Sequence, residues 1–263
     1  MTRSATSVHF LKGFIRGLFI VGNFLLPIFL GAADQTEYTI LAEDGAGLWG
    51  QPDGSGCGND LVVAAFAASG IKVTLQTMPY VRAKTEVLQG RALACFGMAR
   101  DPSLEGKIVF PSQALYVTRA VLFSRARSPR LQGWNDIPRG STVGVVRDYE
   151  YPIEVRSRIN SGTLVPYPTN AEVTNLKMLQ AGRLDYVICM VDDLKSPDFL
   201  VNAAQVSDSV EPVLATEPQS TTVGFAVGYP DSAKAITAFD RGMDLIKTNE
   251  VYASIVRRWS GRK

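Results

Sequence analysis

The spacing of apolar and polar positions switches repeatedly along the chain between a period of two and a period of about 3.6 residues, the periods of strand and helix. Tyr38–Ala42 reads as a strand. Asn59 or Asp60 is placed to cap a helix that runs through Ser69 and ends at Gly70; its side chains are almost all apolar, which predicts a buried helix. Lys72–Gln76 alternates as a strand does. Pro79 opens a helix with Tyr80, Ala83 and Val87 on one face, closed by Gly90, and Ala92–Met98 follows as a buried strand. The order β-α-β-α-β is the signature of a parallel sheet.

A second set follows. Tyr116–Phe123 is rich in strand formers and leads into a loop, Arg125–Gly133. Thr142–Val146 reads as a strand, Tyr149–Ile159 as a helix and Leu164–Tyr167 as a strand. Thr169 and Glu172 have the spacing of a capping box for a helix to Ala181, followed by a strand over Leu184–Met190. Thr221–Val227 is the last strand. Two amphipathic helices end the chain, one with Ile236, Phe239 and Met243 on a face, the other with Val251, Ile255 and Trp259. The segments VLQGRALACFGMARD (87–101) and MLQAGRLDYVICMVDD (178–193) echo one another, each passing from a helix end through glycine and arginine into a buried strand. Gly90 pairs with Gly182, Met98 with Met190 and Arg100 with Asp192. Two similar α/β units in succession imply two lobes with a cleft between them.

The first 33 residues have a different character. Arg3, Lys12 and Arg16 stand without an acidic residue, Gly17 to Leu30 is an apolar run, and Gly31-Ala32-Ala33 supplies small residues. This is the pattern of a cleaved export signal over 1–33, with a retained N-terminal anchor as the alternative reading. Without that segment 24 basic residues face 25 acidic ones, from totals of 27 and 25. The near-neutral balance, with no basic cluster interleaved with aromatics, points away from nucleic acid.

Gly45-Ala46-Gly47-Leu48-Trp49-Gly50 matches the glycine spacing of a dinucleotide fingerprint. The residues that follow, Gln51-Pro52-Asp53-Gly54, cannot open the helix whose amides would face a pyrophosphate. The next strand also lacks the acidic residue that holds a ribose. The expectation is therefore no nucleotide and no other cofactor. The single histidine, His9, lies in the export segment, so the remainder has no histidine for a Ser-His-Asp or Cys-His mechanism or for most zinc sites. Cys57, Cys95 and Cys189 are too scattered for a metal site. Cys95 and Cys189 sit in apolar strands as buried thiols, and a Cys57–Cys95 bridge is compatible with an oxidising compartment.

Four segments carry a resemblance: MPYVRAKTEVLQGRALACFGMARDPSLEGKIVFPSQALY (78–116), STVGVVRDYEY (141–151), NLKMLQAGRLDYVI (175–188) and DRGMDLIKTNEVYASIVRRW (240–259). In order and spacing the chain resembles the bacterial periplasmic solute-binding proteins of the amino-acid type, family 3, over nearly all of 38–260. The resemblance implies the type II fold of that family: two α/β lobes with parallel-type sheets, joined by a two-strand hinge. The lobes would divide as 34–124, 125–220 and a return over 221–263. It implies a small-molecule ligand in the cleft, an inner-membrane ABC permease or a sensor protein as partner, no metal, and no enzymatic activity. A dehydratase of the cyclohexadienyl type on the same fold, or a module that only contacts other proteins, are the alternatives.

The same resemblance places Trp49, on the glycine-rich loop, over the ligand. The arginine that usually holds a ligand carboxylate falls on Leu104, leaving Arg100 as the nearest substitute. The usual ammonium-binding aspartate falls on Met190, with Asp192 two residues on. Arg147 follows the second lobe's first strand directly, before Asp148 and Tyr149. Tyr80, Arg82 and Met98 complete the candidate set. Two guanidinium groups suit a carboxylate, so the expectation is a carboxylate-bearing or amino-acid-like solute.

Overall fold

The computed structural model describes residues 36–45 and 47–261. The export segment assigned to 1–33 lies outside the described residues. Strand β1 (Glu37–Glu43) lies between β2 (Lys72–Met78) and β3 (Ala94–Ala99), parallel to both, with Glu37 opposite Lys72 and Leu41 opposite Cys95. The crossovers are helices α1 (Cys57–Ala68) and α2 (Tyr80–Leu88). The short β4 (Ile108–Val109) pairs with β10 (Gln219–Ala226), which runs antiparallel to β3.

Strand β5 (Tyr116–Arg125) joins the halves. Its first residues, Tyr116–Thr118, pair with Thr221–Gln219 of β10, and the Thr118 and Thr221 hydroxyls meet at 3.2 Å. Its remainder enters the second lobe between β8 (Tyr186–Val191) and β9 (Val210–Ala215), antiparallel to both. There β6 (Ser141–Val146) lies between β7 (Leu164–Thr169) and β8, parallel to each. Helices α3 (Ile153–Asn160), α4 (Glu172–Gln180) and α5 (Pro197–Ala204) cover this lobe, and α6 (Ser232–Thr248) and α7 (Val251–Ser260) return to the first. The expected two-lobe fold with a two-strand hinge is present. Each half is a mixed sheet, not a purely parallel one, because the crossing strands and β9 enter antiparallel.

Burial follows the apolar pattern. Phe66 of α1, Phe225 of β10 and Phe239 of α6 are almost fully buried together, with the Phe66 and Phe239 rings 5.8 Å apart. Leu176 and Leu179 of α4 pack with Val187 and Cys189 of β8, and Val155 of α3 packs on the opposite face with Val143 and Ile188. All three cysteines are buried and unpaired, so no Cys57–Cys95 bridge forms.

Three helix starts differ from expectation. Helix α1 begins at Cys57 after Gly56; Asn59 instead donates to the carbonyls of Gly54 and Ser55, and Asp60 accepts from Trp259 and Arg258. Helix α3 begins at Ile153, not Tyr149. Pro152 disfavours a helical Tyr151, so the helix cannot run through it. Helix α4 has no capping box: the Thr169 hydroxyl donates to the Ala171 carbonyl, and the Glu172 carboxylate is drawn to Lys195 and the Met190 amide. Strand β9 and helix α5 went unpredicted, although Ser196 caps α5 by accepting from the Phe199 amide, with Pro197 at its first position.

Candidate functional site

The glycine-rich loop after β1 folds back onto the start of α1. The Cys57 and Gly58 amides donate to the carbonyls of Leu48 and Trp49. Gly56 has φ 149°, and a side chain there would run into the Trp49 carbonyl. The first amides of the helix are thus satisfied by the loop itself and do not face a phosphate, and the loop's purpose is to hold Trp49. That indole is buried at 4% exposure and stacks on Tyr116 with ring centroids 3.7 Å apart. Its Nε1–H donates to Asp192 Oδ2 at 2.7 Å, from one lobe to the other.

The C-terminal ends of β1, β3 and β8 and the turn after β6 converge beside the hinge, as expected for the ligand crevice of an open α/β sheet. Glu43 ends β1 and Ala99 ends β3; Asp192 follows β8. The turn Arg147–Glu150 reverses through Asp148 at φ 62° and inserts two side chains into the cleft. The Tyr149 hydroxyl donates to Glu43 Oε1 at 2.8 Å. The Glu150 carboxylate accepts from the Tyr80 hydroxyl at 2.7 Å, from Lys84 Nζ and from the Ala99 amide at 3.3 Å. Lys84 also donates to the Asp148 carbonyl, and Arg156 pairs with Asp101 at 3.1 Å across the same gap. The space left among Glu43, Trp49, Tyr149, Glu150 and Lys195 is a cavity of about 40 Å³. The lobes are closed, and the cleft is filled by the chain's own side chains.

The charges in this cleft are strongly perturbed. Burial pushes the Glu43 carboxyl up from 4.5 to about 7, against the pull of the Tyr149 hydroxyl and of Lys195. Burial also raises Glu150, opposed by Lys84 and the Tyr80 hydroxyl. Burial works against the charge on Lys195, yet Glu172, with its oxygen 2.9 Å away, and Asp192 raise its pKa on balance. Burial lifts the Tyr80, Tyr116 and Tyr149 phenols well above their ordinary value.

Of the residues singled out from sequence, Trp49, Tyr149, Met190 and Asp192 line this cavity, and Tyr80 reaches it through Glu150. Asp148 is exposed and contributes its carbonyl to Lys84, and it caps no helix. Met98 is fully buried in the first lobe's core. Arg82 is exposed on α2. Arg100 turns away from the cleft: it donates to the Pro111 carbonyl and covers the Phe110 ring in a separate shallow pocket. Arg147 is exposed and does not line the cleft. The sequence reading missed Glu43, Lys84, Glu150, Glu172 and Lys195. Only Glu43, directly after the strand expected over Tyr38–Ala42, carried a positional signal.

No protein-family model and no curated protein matches the chain. Solved structures do. A histidine kinase sensor domain with similarity to periplasmic binding proteins superposes with a TM-score of 0.73 at 18% identity, over 86% of this chain and 96% of that one. An arginine-, lysine-, histidine-binding protein from Geobacillus stearothermophilus gives 0.69 at 14% identity, over 86% and 96%. An ancestral amino-acid-binding protein, a precursor of cyclohexadienyl dehydratase, gives 0.66 at 12% identity, over 85% and 95%. The chain has the two-lobe fold of periplasmic binding proteins. Among the described residues no helix is long and apolar enough to cross a membrane.

Proposed function

We propose that the protein is a receptor for a small amino-acid-like solute, exported to the periplasm, which binds between the lobes and signals its occupancy to an ABC permease or a sensor protein. The observation that carries this reading is the Glu150 carboxylate. It sits in the cleft on an amide at a strand end, a phenol and an ammonium, all from the opposite lobe. That donor set suits the carboxylate of a bound solute, and Glu150 stands in for it in the closed, self-filled state. Glu43, whose Oε1 accepts from Tyr149, is the acid that faces the solute's ammonium group. The clamp expected from Arg100 and Arg147 is replaced in this reading by Lys84, Tyr80 and the Ala99 amide.

Calorimetry against an amino-acid panel tests it. Removing Glu150 as Glu150→Ala frees the donors, so the same solute should bind about tenfold tighter or better. Lys84→Ala should weaken binding by about tenfold to a few hundredfold, the size of a lost charge-assisted hydrogen bond. No heat and no thermal stabilisation across the panel would overturn the reading and favour a module that contacts only other proteins.

A second reading rests on Glu43. A buried carboxyl with a pKa of about 7 is suited to act as a general acid, which a dehydratase on this fold would need. Turnover of prephenate or arogenate, abolished by Glu43→Gln with substrate binding retained, would establish it.

A further inference from the structure

A second and much larger cavity, about 860 Å³, lies on the other face of the hinge. Side chains alternate along a strand. Val117, Arg119 and Val121 of β5 line this cavity and not the cleft, whereas Gln219 and Thr221 of β10 line only the cleft. The walls come from both lobes, with Tyr252 and Val256 of α7 on one side and Pro212 and Leu214 of β9 on the other. The stacked Trp49–Tyr116 pair borders both spaces.

The volume is that of a site for a small organic molecule. Its ionic groups are unequally engaged. Both Asp192 oxygens are taken, one by the Trp49 indole and the other by the Leu194 and Lys195 amides, and Asp193 is engaged within the chain. Lys247 donates to Gln113 Oε1 and the Ala114 carbonyl. The Arg119 guanidinium, exposed to the cavity, makes no hydrogen bond or ion pair among the described residues. Beside it Val117 presents a side chain that is 52% exposed. An uncommitted guanidinium against an apolar wall suits a molecule with an anionic head and an apolar body.

We infer that this cavity is a second binding site, distinct from the solute cleft, for an amphipathic organic anion whose acidic group pairs with Arg119. Anilinonaphthalene sulfonate, which fluoresces when an apolar surface shields it, is the probe. The folded wild-type protein should bind it at one saturable site. Arg119→Glu should weaken that binding by about tenfold or more, and Arg119→Lys should recover part of it. Val117→Asp, on the wall, should weaken it as well. Gln219→Ala, on the cleft face, should leave it unchanged. Absence of saturable binding, or wild-type binding by both Arg119→Glu and Val117→Asp, overturns the proposal. So does an equal loss in Gln219→Ala, which would place the dye in the cleft.

Discussion

Glu43 is an acid held where its charge is unfavourable, and the lobe opposite does the holding. Tyr149 covers it only while the lobes are closed. In an open cleft water would return its carboxyl toward the ordinary value. A carboxyl whose pKa is raised from 4.5 to about 7 favours the closed form fully below the lower value, and that contribution is lost as the pH rises through the upper one. Small-angle scattering of the solute-free protein should therefore show a smaller radius of gyration at about pH 5 than at about pH 8. Glu43→Gln, permanently neutral, should flatten this dependence. An unchanged pH profile in the variant would assign the effect to other groups. At this scale the sequence was informative about aromatic residues and poor about charge. Trp49 stood out as a large ring on a glycine-rich loop. Lys84, Glu150 and Lys195 look like any polar residue of a helix or turn, and their partners are 66, 66 and 23 positions away. Arg100 and Arg147 attracted attention because guanidinium suits carboxylate; one instead satisfies a nearby carbonyl and the other faces solvent.

Elements were far more legible, because periodicity is a local property. Strands β1, β2, β3, β6, β7, β8 and β10 fall within a few residues of where alternation and apolar runs place them. Helix starts were less legible, since the side chains that could cap them were taken by distant partners, as Asp60 is by Trp259. One contact between elements depends on a residue with no side chain. Gly242 of α6 lies so close to α1 that any Cβ would collide with the Ala65 carbonyl. Replacing it with alanine gains up to about 1 kcal/mol of helix propensity. Overpacking against an immovable backbone costs typically 1–3 kcal/mol, so the clash should prevail. Gly242→Ala should lower the midpoint of thermal unfolding, and an unchanged or higher midpoint would show that α6 can shift without loss. Exchanging a surface residue of the same helix, such as Lys234→Ala, is the control.

The whole molecule is two lobes held by a few polar contacts around a hinge of three residue pairs. The Lys84–Glu150 pair belongs to both lobes, with side-chain exposures of 14% and 4%. Removing one member of a buried pair costs roughly 3–5 kcal/mol by stranding the other. Here the molecule can escape that loss by opening and wetting Glu150. Lys84→Ala should accordingly enlarge the radius of gyration without solute while leaving thermal unfolding of the separate cores nearly unchanged. A variant as compact as wild type would mean that other contacts hold the lobes. The two-lobe plan was legible in the echo between 87–101 and 178–193. The closed, self-filled cleft was not, because it depends on contacts such as Trp49 with Asp192, 143 positions apart.

On the proposed function, the turn that delivers Glu150 gives the protein a threshold. A carboxylate carried on the same chain competes with free solute as if it were present at an effective concentration on the order of millimolar. Solute at trace levels then leaves the donors occupied from within, and the lobes exchange partners only once the outside concentration overcomes that internal rival. The strength of the rival is set by the geometry of Arg147–Glu150, the same turn whose Tyr149 holds Glu43. On that reading threshold and selectivity meet in one turn, and retuning either shifts the other.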